Sequence, residues 1–217
     1  MSARKRVAVL ISGRGSNMTS LLAAAAAPDY PAEIALVLSN RPEAAGLATA
    51  RNKGVEAQAL DHKAFATRED FERAMQAALE ARGIEIVCLA GFMRLLTPWF
   101  VSRWQNRMIN IHPALLPSYK GLRTHERALV DGVKIHGCTV HFVVPEMDAG
   151  PIIAQSAVPV LDDDTPDTLG ARVLAREHAI YPLALRLAAS GALRVEGGRV
   201  YGGGGDGGAS LTSPRAG

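Results

Sequence analysis

Cysteine is scarce: Cys88 and Cys138 are the only two in 217 residues. That is too few for a disulfide framework and fits a reducing compartment. An excess of one charge is missing too. Against 24 Lys and Arg stand 21 Asp and Glu, for a formal net charge of +3 and a pI near 9.1. So mild a balance suits a small phosphate-bearing molecule and is too weak to argue for nucleic acid. No apolar run is long enough to cross a bilayer. The longest, Leu21–Ala27, is short and alanine-rich. Arg4, Lys5 and Arg6 ahead of Val7–Ile11 imitate a signal peptide, but the apolar run has five residues and ends in a glycine turn. It reads as a first strand, and a cytoplasmic location is expected. No G-x-S-x-G elbow occurs, which disfavours a serine hydrolase. His136 and His141 have no partners at metal-ligand spacing, so no metal is expected. No internal repeat is visible.

What is present is an ordinary globular composition, 48% hydrophobic and 21% charged. Glycine is unevenly spread, with nine of the 21 falling in residues 197–217. The expected organisation is one domain over residues 1–201 and a flexible glycine-rich tail over 202–217.

The first half alternates short apolar runs with amphipathic segments. Val7–Ile11, Ile34–Leu38, Val55–Leu60 and Ile84–Ala90 read as strands. Between them, helices are expected over Asn17–Ala27, Pro42–Lys53 and Thr67–Ala81, the last capped by Thr67 and stopped by Gly83. This order implies an α/β fold with a parallel sheet and right-handed crossovers. Farther on, Pro98–Trp104 and Thr124–Val130 read as short helices and Met108–Ile111 as a strand. Ile135–Val144 and Ile152–Val160 read as strands around the loop Pro145–Pro151. Thr165–Ala189 is a long helix that Pro182 should kink or interrupt, closed by Gly191. The acidic run Asp162–Asp164 precedes that helix and favours its dipole.

Three segments carry chemistry. Ser12-Gly13-Arg14-Gly15-Ser16-Asn17 follows a strand and opens a helix. Such a turn brings backbone N–H groups and a helix N-terminus to an anion. The third glycine of G-x-G-x-x-G is missing, as is the G-K-[ST] of a P-loop, so a single phosphate suits it better than a dinucleotide or triphosphate. It also reads as a plain tight turn with Ser16 or Asn17 as N-cap. The second segment, Asn110-Ile111-His112-Pro113-Ala114-Leu115-Leu116-Pro117, lies at the carboxyl end of a strand, where open α/β sheets bind ligands. Asn110 and His112, two apart, face one side and can aim an amide and an imidazole at a developing oxyanion. Equally, Asn110 can satisfy a loop and His112 begin a proline turn. The third, Glu146-Met147-Asp148-Ala149-Gly150-Pro151, is a loop whose Asp148 can reach His112 and favour its charged form, or can be a solvated turn residue. Cys88 and Cys138 sit in apolar strands and read as buried thiols, and Trp99 and Trp104 as packing residues. Arg68, just inside its helix, reads as an exposed surface arginine on spacing alone.

Together these segments resemble the folate-dependent phosphoribosylglycinamide formyltransferases of purine synthesis, from about Val7 to Leu193. The residues that carry the resemblance are Ile11–Asn17, Leu89–Leu96, Asn110–Pro117, Gly137–Val143, Asp148–Ile153 and Glu177–Pro182. The N-x-H-P-x-L-L-P element is shared by a wider formyltransferase superfamily, and the G-x-G-S-N loop is more specific. The resemblance implies a Rossmann-like open, mostly parallel twisted sheet with helices on both faces. It implies transfer of the formyl group of 10-formyltetrahydrofolate, a co-substrate, to the amine of glycinamide ribonucleotide. Asn110, His112 and Asp148 would be the catalytic trio. Gly15, Ser16 and Asn17 would hold the substrate phosphate, and Glu177 the ribose or amine. Arg68 would join the folate site, with Met93, Arg94, Leu95 and Leu96 lining it. Val143, Val144 and Met147 would complete the folate pocket. Thr139 and His141 would support the trio, and the Leu116–Pro117 bond is expected to be cis.

Rivals stay close. The formyltetrahydrofolate deformylases use a similar trio but add an N-terminal regulatory domain, and here the first strand begins within seven residues of Met1. Methionyl-tRNA formyltransferases add a C-terminal RNA-contacting domain, where this chain shows only its glycine-rich end. Sugar-nucleotide formyltransferases are disfavoured by the phosphate-type loop. A pure folate or nucleotide binder has no need of the trio. The expectation is an enzyme acting on small molecules, with neither nucleic acid nor membrane as partner, as a monomer or homodimer.

Overall fold

The computed structural model describes residues 3–204 and Ser213. The first strand, β1 (Lys5–Ile11), has its last five residues buried. Its side chains alternate between two apolar layers: Val7, Val9 and Ile11 face one, Ala8 and Leu10 the other. A strand covered on both faces needs apolar residues at successive positions, which is what Val7–Ile11 supplies.

Helix α1 (Ser16–Ala25) leads to β2 (Ala32–Ser39), and α2 (Ala45–Asn52) to the short edge strand β3 (Ala57–Ala59). Then α3 (Arg68–Glu80), capped by Thr67, leads to β4 (Ile86–Leu89), and α4 (Pro98–Arg103) to β5 (Met108–His112). Helix α5 (Thr124–Val130) precedes the pair β6 (Ile135–Phe142) and β7 (Ile152–Pro159). The seven strands lie in the order β3-β2-β1-β4-β5-β6-β7. The first five are parallel, and β6 and β7 are antiparallel to their neighbours. Chain direction across the sheet reverses between β1 and β4, the place where open α/β sheets form a ligand crevice.

The remaining helix, α6 (Pro166–Ala189), is one element of 24 residues. The interruption expected at Pro182 does not occur. Proline in a helix interior costs about 3 kcal/mol. The buried Ile180, Tyr181, Ala184 and Leu185 surround it, and each large apolar side chain buried returns about 1.5–3 kcal/mol. The Pro182 carbonyl also accepts the Tyr30 hydroxyl at 2.6 Å. At the helix start Asp164 does more than favour the dipole. Its carboxylate takes both Arg172 guanidinium nitrogens, at 2.7 and 2.8 Å, and is held well below the usual carboxylate range by them.

Other expected boundaries shift, among them the third strand, which shortens from Val55–Leu60 to Ala57–Ala59. α2 begins at Ala45, not Pro42, because residues 41–44 form a turn that docks Gly46 on the first loop: Gly46 N–H donates to the Gly13 carbonyl at 3.1 Å. A Cβ on Gly46 would stand 2.5 Å from Ile11 Cδ1. Strand β4 begins at Ile86, not Ile84, because the Ile84 N–H is taken by the Leu79 carbonyl at the end of α3. A hairpin not foreseen, β8 (Arg194–Glu196) and β9 (Arg199–Tyr201), turns on Gly197 and Gly198, both at positive φ. Most of the expected tail, residues 205–212 and 214–217, lies outside the described residues.

Candidate active site

The crevice is built from the loops that leave β1, β4 and β5. After β1, Gly15 is the N-cap of α1 at φ 74°, with no side-chain cap. The first N–H groups of α1 therefore keep their donors. The cap is therefore neither Ser16 nor Asn17, because the left-handed turn gives that position to Gly15. Ser12 joins the loops: its hydroxyl donates to Asn40 Oδ1 at 2.6 Å and accepts the Met93 N–H at 2.8 Å. Asn17 is buried, and its amide donates to Glu177 Oε2 at 2.6 Å. Burial raises the Glu177 carboxyl above its ordinary range. Asn17 Oδ1 has no partner among the described residues.

Asn110 and His112 end β5, and in the antiparallel register they face His141 and Thr139 of β6. The Asn110 amide nitrogen lies 3.3 Å from His141 Nε2. His141 Nδ1 donates to the Phe142 carbonyl at 2.9 Å, so Nε2 is the acceptor of the pair. Burial lowers the His141 pKa, which keeps that ring neutral. Among the described residues, one amide N–H of Asn110 is left over.

His112 is 4% exposed. Its Nε2 donates to the Tyr119 carbonyl at 2.9 Å, and its Nδ1 lies 3.4 Å from Asp148 Oδ2. The second contact is longer than a tight charge-assisted bond, about 2.7–2.9 Å. Asp148 Oδ2 also accepts the Gly121 N–H at 2.8 Å, and Oδ1 lies 3.9 Å from His141. Asp148 sits at φ 51°, a left-handed conformation that Asp tolerates better than most residues. The loop can pass this close only because residue 150 is glycine: a Cβ there would stand 1.7 Å from the Phe142 carbonyl oxygen.

Asn110, His112, Asp148 and His141 thus meet in one cluster. Thr139 serves it at a distance, donating to the Ala114 carbonyl at 2.7 Å and accepting the Leu116 N–H at 3.0 Å. The Leu116–Pro117 bond is cis, as expected. Met93, Leu95 and Met147 are exposed apolar side chains, while Leu96 and Val143 pack against the core and Val144 is half-buried. Arg94 lies over the Phe71 ring at 5.9 Å, and its Nε is buried without a partner among the described residues. Arg68 is exposed in the first turn of α3, and no side-chain hydrogen bond ties it to the cluster. The buried Glu72, which sequence reasoning missed, accepts the Thr97 N–H at 2.8 Å and so anchors the end of the segment after β4. Tyr119 and Gly121 were missed as well; they act through backbone groups, which side-chain identity does not announce. Cys138 is buried, with its thiol pushed up to about 12, and Cys88 is likewise raised by burial. Neither is a nucleophile at neutral pH.

Comparison with known proteins shows the family. Residues 5–185 match the formyl transferase family model. The chain is 48% identical over 198 residues to human trifunctional purine biosynthetic protein adenosine-3, covering 91% of this chain and 20% of that protein. It therefore spans about a fifth of that relative's length. Phosphoribosylglycinamide formyltransferase of Escherichia coli is 43% identical over 189 residues, 87% of this chain and 89% of that protein. The solved glycinamide ribonucleotide transformylase 1 of Symbiobacterium toebii superposes with a TM-score of 0.90 at 46% identity, covering 92% of this chain and 94% of that one. By sequence and by structure, the chain belongs to the formyl transferase family, among the phosphoribosylglycinamide formyltransferases.

Proposed function

We propose that the protein transfers the formyl group of 10-formyltetrahydrofolate to the amine of glycinamide ribonucleotide, giving formylglycinamide ribonucleotide and tetrahydrofolate. The observation that carries this reading is the cluster of Asn110, His112 and Asp148 at the carboxyl end of β5, with an amide N–H left over. In the reaction, the amine nitrogen bonds to the formyl carbon, the bond to the folate nitrogen breaks, and a proton passes from one nitrogen to the other. No enzyme nucleophile is required, in keeping with two buried, protonated thiols.

The residues divide the work. The spare Asn110 N–H and the His112 Nδ1–H stabilise the oxyanion of the tetrahedral state. A placed donor of this kind is worth about 3 kcal/mol of barrier. Asp148 balances the imidazolium charge and, through water, passes the proton. The long 3.4 Å contact between them leaves Nδ1 able to turn to the oxyanion as the site closes on substrate. Gly15, Ser16 and Asn17 take the phosphate on the open end of α1. Glu177, oriented by Asn17, takes the ribose or amine. Two of the four buried side-chain atoms without a partner among the described residues, Asn17 Oδ1 and Arg94 Nε, suit a polar ligand on either side of the crevice. Arg68 joins the folate site, which Met93, Arg94, Leu95 and Leu96 line together with Val143, Val144 and Met147. The enzyme acts in the cytoplasm on small molecules alone.

The competing chemistry on the same trio is hydrolysis of the formylfolate. A turnover assay separates the two. With 10-formyltetrahydrofolate alone, tetrahydrofolate should not appear, and adding glycinamide ribonucleotide should start its release. Release at the same rate without the nucleotide overturns the transferase reading.

A further inference from the structure

One backbone segment touches both members of the His112–Asp148 pair. The Tyr119 carbonyl accepts His112 Nε2–H at 2.9 Å, and two residues on, the Gly121 N–H donates to Asp148 Oδ2 at 2.8 Å. Both residues are left-handed, at φ 55° and 82°. The start of this strap is fastened by two side chains from the neighbouring strands. Thr139 Oγ1 donates to the Ala114 carbonyl and accepts the Leu116 N–H, at 2.7 and 3.0 Å. Gln155 Nε2 donates to the Leu116 carbonyl at 2.9 Å and to Thr139 Oγ1 at 3.0 Å. The Thr139 hydroxyl thus uses its one donor and both acceptor positions, and the Gln155 amide both of its hydrogens.

We propose that Gln155, acting with Thr139, is a positioning residue for formyl transfer: the clamp on Leu116 sets the strap so that Tyr119 keeps a proton on His112 Nε2 and Gly121 holds Asp148 against Nδ1. The inference rests on the roles given above to His112 and Asp148. A histidine's tautomer is fixed by what its other nitrogen bonds to, and here that partner is a loop carbonyl with no side-chain specificity of its own. Its placement must therefore come from whatever anchors the loop. Gln155 is exposed on β7, so removing its amide disturbs the anchor with little effect on the core.

Gln155→Leu removes both donors at similar size. It should lower kcat roughly 10- to 100-fold, the scale of a misplacement distant from the chemistry, and leave KM for both substrates unchanged. In the free protein, imidazole nitrogen NMR should show His112 losing the signature of an Nε2–H hydrogen-bonded to a carbonyl. Thr139→Val should reproduce both effects, and Thr139→Ser, which keeps the hydroxyl, should restore them. A purely structural role would lower the melting temperature and leave that Nε2–H signature in place. A folded Gln155→Leu protein that keeps either the wild-type kcat or the wild-type ring spectrum overturns the proposal. The spectrum is read without substrate, so it tests the strap even if the acceptor assigned above is wrong.

Discussion

Side chains at the site are held by neutral partners on one side and charged ones on the other, and single substitutions separate the two. His112→Ala should lower turnover by orders of magnitude with nucleotide affinity largely kept; near-normal activity would remove His112 from the oxyanion site. Asp148→Asn keeps a residue that tolerates the left-handed backbone and changes only the charge. It should lower kcat at neutral pH, and an unaltered kcat counts against a role for this carboxylate beside His112. Glu177 makes a different kind of test. Burial raises its pKa, so the folded state binds a proton more tightly than the unfolded state does. That contribution to stability is full below the unfolded value and is lost as pH rises through the folded one. Glu177→Gln should therefore raise the urea midpoint at neutral pH, with the gain vanishing in acid, while KM for the nucleotide rises. A variant less stable at neutral pH contradicts this. Of the residue-scale picture, the spacing of Asn110 and His112 already placed both on one face. The partners that orient them were not legible, because the Tyr119 carbonyl and the Gly121 N–H belong to the backbone and depend on two left-handed turns.

Loops and helices set how much the site tolerates. Gly150→Ala puts a Cβ into the Phe142 carbonyl, a backbone atom that cannot swing aside. The Asp148 loop must lift from β6, so both stability and kcat should fall; a variant with full activity would mean the loop has slack that the structure does not show. On the far side of the strap, His136 is buried against His125, their ring nitrogens 3.3 Å apart. Burial, then the neighbouring ring, pushes the His136 pKa down to about 4, and His125 is lowered too. With an unfolded value near 6.5, their stabilising share is present above that pH and is lost as pH falls towards 4. Urea unfolding between pH 7 and 4.5 should show this decline, and His136→Gln should make it shallower. An unchanged slope contradicts the assignment. Element boundaries followed the physics that was readable from local sequence: Thr67 and Thr165 cap their helices, and Thr124–Val130 forms as expected. What local sequence did not contain was tertiary: packing that carries α6 through Pro182, and the Gly46–Gly13 contact that delays α2. The Gly197-Gly198 hairpin turn was readable and had been absorbed into the glycine-rich end.

For the whole molecule, the parallel order β2-β1-β4 and the antiparallel pair β6-β7 do separate jobs. The reversal between β1 and β4 opens the crevice that would take nucleotide and folate. Strand β6, antiparallel to β5, lays His141 and Thr139 beside Asn110 and His112, which a parallel neighbour in that position would place in a different register. A net charge of +3 favours anionic small molecules only weakly, so selectivity must come from placed groups rather than a long-range field. The account stands or falls on where the formyl group goes. Incubate the protein with 10-formyltetrahydrofolate carrying a labelled formyl carbon, together with glycinamide ribonucleotide, and separate the products. The label should be recovered in formylglycinamide ribonucleotide, one for each tetrahydrofolate released; label recovered as free formate would contradict the account.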